Sequence, residues 1–208
     1  MQENGINIFN ISHLDFEYQK NLNFIDEKRV LQRIYDKDGS LWKIDNVLAS
    51  ESLGWLNLPE QAKLVSEISA TFSSGVYNKY EVVCLVGMGG SVHAAKAIID
   101  FVDHDNSKLF VIADSTLSVS IDKIEKMVKG KKTLFVIASK SGATLETVMI
   151  YEHLKKVVDS DSQNYSDDNL FIAITDPHTS LDKRPCKENF YQTFLGLIDV
   201  GGRYAALS

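Results

Sequence analysis

The chain has 208 residues, 44% of them hydrophobic, enough to bury a full core in one α/β domain plus a helical appendage. A formal net charge of −6 argues against a nucleic-acid or polyanionic partner, so any recognition of an anion has to be local. No apolar run approaches a membrane span, and Met1 to Asn10 lacks the basic start and apolar core of a secretory signal, so the expected location is the cytoplasm, with no membrane partner.

From Met1 to about Tyr80 the pattern is helical, with Ile25, Val30, Leu31 and Ile34 in one stretch and Leu64, Val65, Ile68 and Phe72 in another. The connection between them holds Asp36-Lys37-Asp38-Gly39-Ser40, Leu41-Trp42 and Gly54-Trp55-Leu56-Asn57-Leu58-Pro59; Pro59 suits the first turn of a helix, and the two tryptophans read as packing anchors. After Tyr80 strand and helix patterns alternate: Val82–Val86, Val92–Phe101, Leu109–Ala113, Ser118–Lys129, Leu134–Ala138, Leu145–Val158 and Leu170–Thr175. Such alternation predicts a parallel sheet with helices on both faces. Residues 1–79 then form a helical N-terminal extension and residues 80–208 the α/β domain.

Ligands of such sheets bind at the carboxyl ends of the strands, so the loops at Gly89-Gly90-Ser91, Ser139-Lys140-Ser141 and Asp176-Pro177-His178 should share one rim. The second loop is the most informative. The apolar, β-branched run Thr133 to Ala138 turns within one residue into Ser139-Lys140-Ser141-Gly142, with Thr144 just before a segment whose Leu145, Val148, Tyr151, Leu154 and Val158 share a helical face. A helix N-terminus presents unpaired backbone N–H groups and a positive dipole end, and Ser/Thr hydroxyls beside it add donors without adding charge. That combination suits a dianionic phosphate; an ordinary Ser/Thr helix cap is the structural alternative.

The first loop, Gly87-Met88-Gly89-Gly90-Ser91, invites comparison with the dinucleotide fingerprint, whose third small position is here Val92; Asp114, after the next strand, could stand for its ribose-binding acid, so that reading stays open beside the phosphate one. Gly130-Lys131-Lys132-Thr133 precedes a strand and is no Walker loop. Cys84 in a buried strand and Cys186 in a charged loop read as bystanders. The histidines at 13, 93, 104, 153 and 178 are too scattered for a metal site.

Four segments in order, Gly87-Met88-Gly89-Gly90-Ser91, Ser139-Lys140-Ser141-Gly142-Ala143-Thr144-Leu145-Glu146-Thr147, Ile174-Thr175-Asp176-Pro177 and Asp199-Val200-Gly201-Gly202-Arg203-Tyr204, make the chain resemble the sugar isomerase (SIS) domain family and, within it, the glucose-6-phosphate isomerases. Gly54-Trp55-Leu56 is similar to the region before that domain in bacterial members also found fused to transaldolase. The resemblance implies a flavodoxin-like α/β sheet, a sugar phosphate partner, no cofactor, and interconversion of an aldose and a ketose. Carried over by residue, Ser139, Ser141 and Thr144 hold the phosphate with the backbone of Lys140 nearby, and Gly90 and Ser91 contact the sugar. Arg203, preceded by Gly202, faces the developing enediolate, a role that suits an always-charged guanidinium.

The family continues beyond this point into a second SIS domain that carries the glutamate base and the ring-opening residues, so the chain resembles the N-terminal part of such an isomerase, inactive by itself, with a homodimer or a second SIS domain as partner. Glu146 lies in the first helical turn, where an acid compensates the dipole. A free-standing phosphosugar sensor is the alternative, and the arginine after Gly201-Gly202 speaks against it.

Overall fold

The computed structural model describes residues 15–42, 46–60, 62–101, 108–161, 170–183 and 190–202, the side chains of 15, 58–60, 62–64 and 76 excepted. The chain divides into two compact units, Met1–Leu53 and Gly54–Ser208.

The first unit carries α1 (Asp15–Glu27), α2 (Val30–Tyr35), a short helical turn at Gly39–Leu41 and α3 (Asn46–Ser50). The helical stretch expected around Ile25 to Ile34 is broken at Arg29, whose backbone is left-handed (φ 51°), so α2 starts on a new axis. A polar knot closes α2: the Asp38 carboxylate accepts from Ser40 Oγ at 2.6 Å, Arg33 Nε at 2.7 Å and Ser40 N–H at 2.9 Å. The Ser40 hydroxyl first, and then Arg33, hold the Asp38 pKa down to about 2. Trp42, expected as a packing anchor, keeps 37% of its surface exposed.

In the second unit a helical turn (Gly54–Glu60), α4 (Ala62–Ser73) and another turn (Val76–Lys79) precede the sheet. Strands β1 (Val82–Gly87), β2 (Leu109–Ala113), β3 (Thr133–Ala138), β4 (Leu170–Thr175) and β5 (Gln192–Leu195) alternate with α5 (Gly90–Phe101), α6 (Ser118–Val128), α7 (Leu145–Ser160) and α8 (Ser180–Lys183). All neighbouring strands are parallel and their order is β2-β1-β3-β4-β5, the flavodoxin-like order expected of the fold class. The strands and helices expected from Val82 to Thr175 are all present, with ends shifted by at most a few residues. Strand β5 and the short α8 were not foreseen.

Side-chain alternation splits the core between two faces. Val82, Cys84 and Val86 of β1, with Phe135 and Ile137 of β3, pack against Ile124 and Val128 of α6 and Ile150, Tyr151 and Leu154 of α7. The intervening residues point the other way: Leu134 and Ile172 meet Tyr77 and Tyr80. A Cβ on Gly87 would lie 3.1 Å from Val92 of α5, which sets α5 over this second face. On the first face Phe135 and Phe171 stack with centroids 4.6 Å apart, and the ring of Tyr151 meets Phe171 edge-on at 5.7 Å. Cys84 is fully buried there, and burial pushes its thiol up to about 12, so it is chemically inert.

At the amino end of the sheet the Lys108 ammonium donates to the carbonyls of Tyr77, Asn78 and Tyr80 at 3.2, 3.3 and 3.2 Å. One cation thus satisfies the end of the preceding turn and ties it to the start of β2. Lys108→Met keeps the aliphatic stem and removes the charge, and should cost about 2 kcal/mol, the range of hydrogen bonds to a charged group. Urea unfolding checks this: a midpoint equal to the parent's at the same slope would contradict it.

Candidate functional site

The sheet order fixes where a ligand can enter. The crossover leaving β1 runs toward β2 and the one leaving β3 runs toward β4, so the loops diverge at the carboxyl ends of two adjacent strands. Gly87 of β1 pairs with Ala138 of β3, and Ala138 pairs with Ile174 of β4, so the three loops expected on one rim do lie on one rim. Gly87 is needed there: a Cβ would sit 2.8 Å from the Ala138 carbonyl oxygen.

In the loop after β3, Ser139 is buried, Lys140 and Thr144 are half-buried and Ser141 is exposed. Ser139 Oγ donates to Thr144 Oγ1 at 3.1 Å, and the Gly142 N–H returns to the Ser139 carbonyl at 3.0 Å. Thr144 is the N-cap residue of α7, yet its side chain makes no cap hydrogen bond. The cap alternative raised by the sequence therefore does not describe this threonine. Its hydroxyl is turned to Ser139, and among the described residues no side chain is seen to cap the first turn of α7, which leaves its amides for a ligand or water. Glu146 stands in that turn, as expected of an acid near the positive end of the dipole.

The loop after β1 brings Gly89 in the left-handed region (φ 57°) with open space around it, then exposed Gly90 and half-buried Ser91 at the start of α5. Val92, fully buried, fills the position that the dinucleotide fingerprint keeps small. On the other flank, β5 delivers the chain to Gly196, whose N–H donates to Thr175 O at 2.9 Å. The Asp199 carbonyl beyond accepts the Gly54 N–H at 2.7 Å. Val200 is buried and Gly202 exposed. Arg203 lies outside the described residues.

Sequence reasoning left Asp176 as a rim residue without a role, whereas in the structure its carboxylate accepts from Lys140 Nζ at 2.6 Å. Nothing in the local pattern of Thr175-Asp176-Pro177 signals that pair. Among the described residues no three His, Cys, Asp or Glu side chains gather in a metal-binding cluster, and no helix is long and apolar enough to cross a membrane.

A flavodoxin-like parallel sheet with a hydroxyl-lined, uncapped helix N-terminus at its switch point defines an α/β domain of the sugar-isomerase type. A family model described as phosphoglucose isomerase matches residues 58–208, and the chain belongs to that family. A glucose-6-phosphate isomerase of Mycoplasma capricolum is 28% identical over 211 residues, spanning 96% of this chain and 46% of the relative. The chain thus spans about half the length of the curated relatives it matches. Among solved structures, a hypothetical protein from Thermus thermophilus superposes with a TM-score of 0.72 at 23% identity, covering 95% of this chain and 44% of that one. A glucose-6-phosphate isomerase from Chlamydia trachomatis gives a TM-score of 0.57 at 19% identity, covering 82% of this chain and 31% of that one. Both likenesses speak for the fold.

Proposed function

We propose that this chain is the phosphate-binding part of an aldose–ketose isomerase that interconverts glucose 6-phosphate and fructose 6-phosphate. The observation that carries the reading is the Ser139–Thr144 hydroxyl pair, 3.1 Å apart, beside the uncapped start of α7. Hydroxyls and backbone amides suit a phosphate oxygen surface, and the site lies at the switch point where this architecture binds ligands. Ser139, Ser141 and Thr144, with the Lys140 backbone, hold the phosphate in this reading; Gly90 and Ser91 face the sugar. Arg203, preceded by Gly202, stabilises the charge that develops on the enediolate in the same reading. A second SIS domain or a second copy of the chain supplies the base, and the working compartment is the cytoplasm.

Calorimetric titration with glucose 6-phosphate, fructose 6-phosphate and glucose tests this. The two phosphates should bind and glucose should not; equal affinity for all three would remove the phosphate assignment. Ser141→Ala combined with Thr144→Ala deletes two donors to a charged group, each worth roughly 1.5–3 kcal/mol, so affinity should drop by about a hundredfold or more. Unchanged binding would place the phosphate elsewhere.

A further inference from the structure

Lys140 sits between two of the cradle hydroxyls, yet its ammonium and its carbonyl are already engaged with other loops. Its ammonium donates to Asp176 Oδ2 at 2.6 Å, after β4, and to the Leu197 carbonyl at 2.8 Å, after β5. Its own carbonyl accepts from the Asp176 N–H at 3.0 Å and from Thr175 Oγ1 at 3.4 Å. Asp176 therefore grips Lys140 at both ends, through its main chain and through its carboxylate. The two side chains keep only 21% and 19% of their surface exposed, so the pair is better sheltered than the Lys20–Glu17 contact on α1, at 63% and 57%.

We propose that Lys140 and Asp176 form a clamp that holds the loops after β3, β4 and β5 in register, with the Lys140 side chain positioning the anion cradle and its ammonium not a ligand of the phosphate. The inference rests on the reading of residues 139–144 as that cradle. Three strand ends meet at one ammonium. A shift of the Lys140 backbone would displace Ser139 and Ser141 together. The same ammonium holds Leu197, so the clamp also sets the cradle against the loop that runs on through Asp199 to Gly201 and Gly202. The paired charges cancel, which leaves the cradle to bind its anion through hydroxyls and amides.

The two roles of Lys140 predict opposite signs. If its ammonium bound phosphate directly, Asp176→Asn would release a competing carboxylate and strengthen binding. If the pair is a clamp, Asp176→Asn weakens binding although it removes a negative charge from beside the anion. We expect Asp176→Asn and Lys140→Met each to lower the affinity for glucose 6-phosphate by about tenfold, and the double variant to be no worse than either single one, as for two residues acting as a unit. In the ligand-free protein, amides from Ser141 to Thr144 should exchange with solvent about tenfold faster in all three variants, because the loop opens more often.

Asp176→Glu and Lys140→Arg keep the charges and should fall between parent and knockouts in both measurements; they carry the test if a knockout does not fold. Tighter binding in Asp176→Asn, or exchange at Ser141 to Thr144 unchanged across the series, overturns the clamp. The exchange measurement needs no ligand. A parent that binds no phosphosugar would remove the proposed function while the exchange rates still decide the clamp.

Discussion

Gly142→Ala is expected to lower the unfolding free energy by about 2–5 kcal/mol and to abolish phosphosugar binding. Gly142 adopts φ 63°, where a Cβ costs roughly 1–2 kcal/mol. The new methyl would also lie 2.6 Å from Thr179 Cβ, 2.7 Å from its hydroxyl and 3.0 Å from the Leu181 nitrogen. Overpacking of that kind adds roughly 1–3 kcal/mol. Thr179 has little freedom to yield, since its hydroxyl is bonded to Thr175 Oγ1 at 2.8 Å and accepts the Asp182 N–H at 3.3 Å. Ser180 Oγ donates to the Gly142 carbonyl from the same side. Relaxation must therefore move residues 141–143, which are the cradle. Urea unfolding with calorimetry measures both effects. Measured against a Thr179→Gly background, Gly142→Ala should cost only the backbone part, and a Gly142→Ala protein within about 0.5 kcal/mol of the parent would contradict the steric account.

That glycine was legible as punctuation between a strand and a helix, but its contact with Thr179 was not, because the two are brought together by the pairing of β3 with β4. The same holds for Lys140 and Asp176: the residue types stand in the sequence, while their juxtaposition depends on Ala138 lying opposite Ile174. Strands β1 to β4 were readable because burial on both faces demands nearly unbroken apolar runs. Strand β5 escaped because it is a four-residue edge, Gln192 to Leu195, whose side chains are at most half-buried. The break between α1 and α2 escaped because Arg29, not glycine or asparagine, takes the left-handed conformation there. The hydroxyls of the cradle were legible as chemistry. That Thr144 turns toward Ser139 instead of capping α7 is a geometric fact that composition does not carry.

Residues 1–208 on their own are expected to show no measurable isomerase turnover, and joining them to the second half typical of the family's relatives should produce it. Moving a proton between C1 and C2 of an opened sugar needs a base within hydrogen-bond reach of the carbon-bound hydrogen, and a positioned base is worth roughly 10²–10⁴-fold. On the rim described here Asp176 is engaged by the Lys140 ammonium at 2.6 Å, and Glu146 stands in the first turn of α7. An arginine stays protonated and cannot act as the base; in the proposed reading Arg203 instead stabilises the oxygen on which negative charge develops. In the restored enzyme Arg203→Ala should lower kcat by about 10²–10³-fold, the usual loss for one donor aimed at a developing oxyanion, with a much smaller change in substrate affinity. In the proposed reading the phosphate is held by residues 139–144, which that substitution does not change, so kcat and KM should separate. A coupled assay decides both statements: robust turnover by residues 1–208 alone would put a base inside this chain, with Asp176 and His178 the first positions to replace, and an Arg203→Ala enzyme with unchanged kcat would remove the arginine from the reaction.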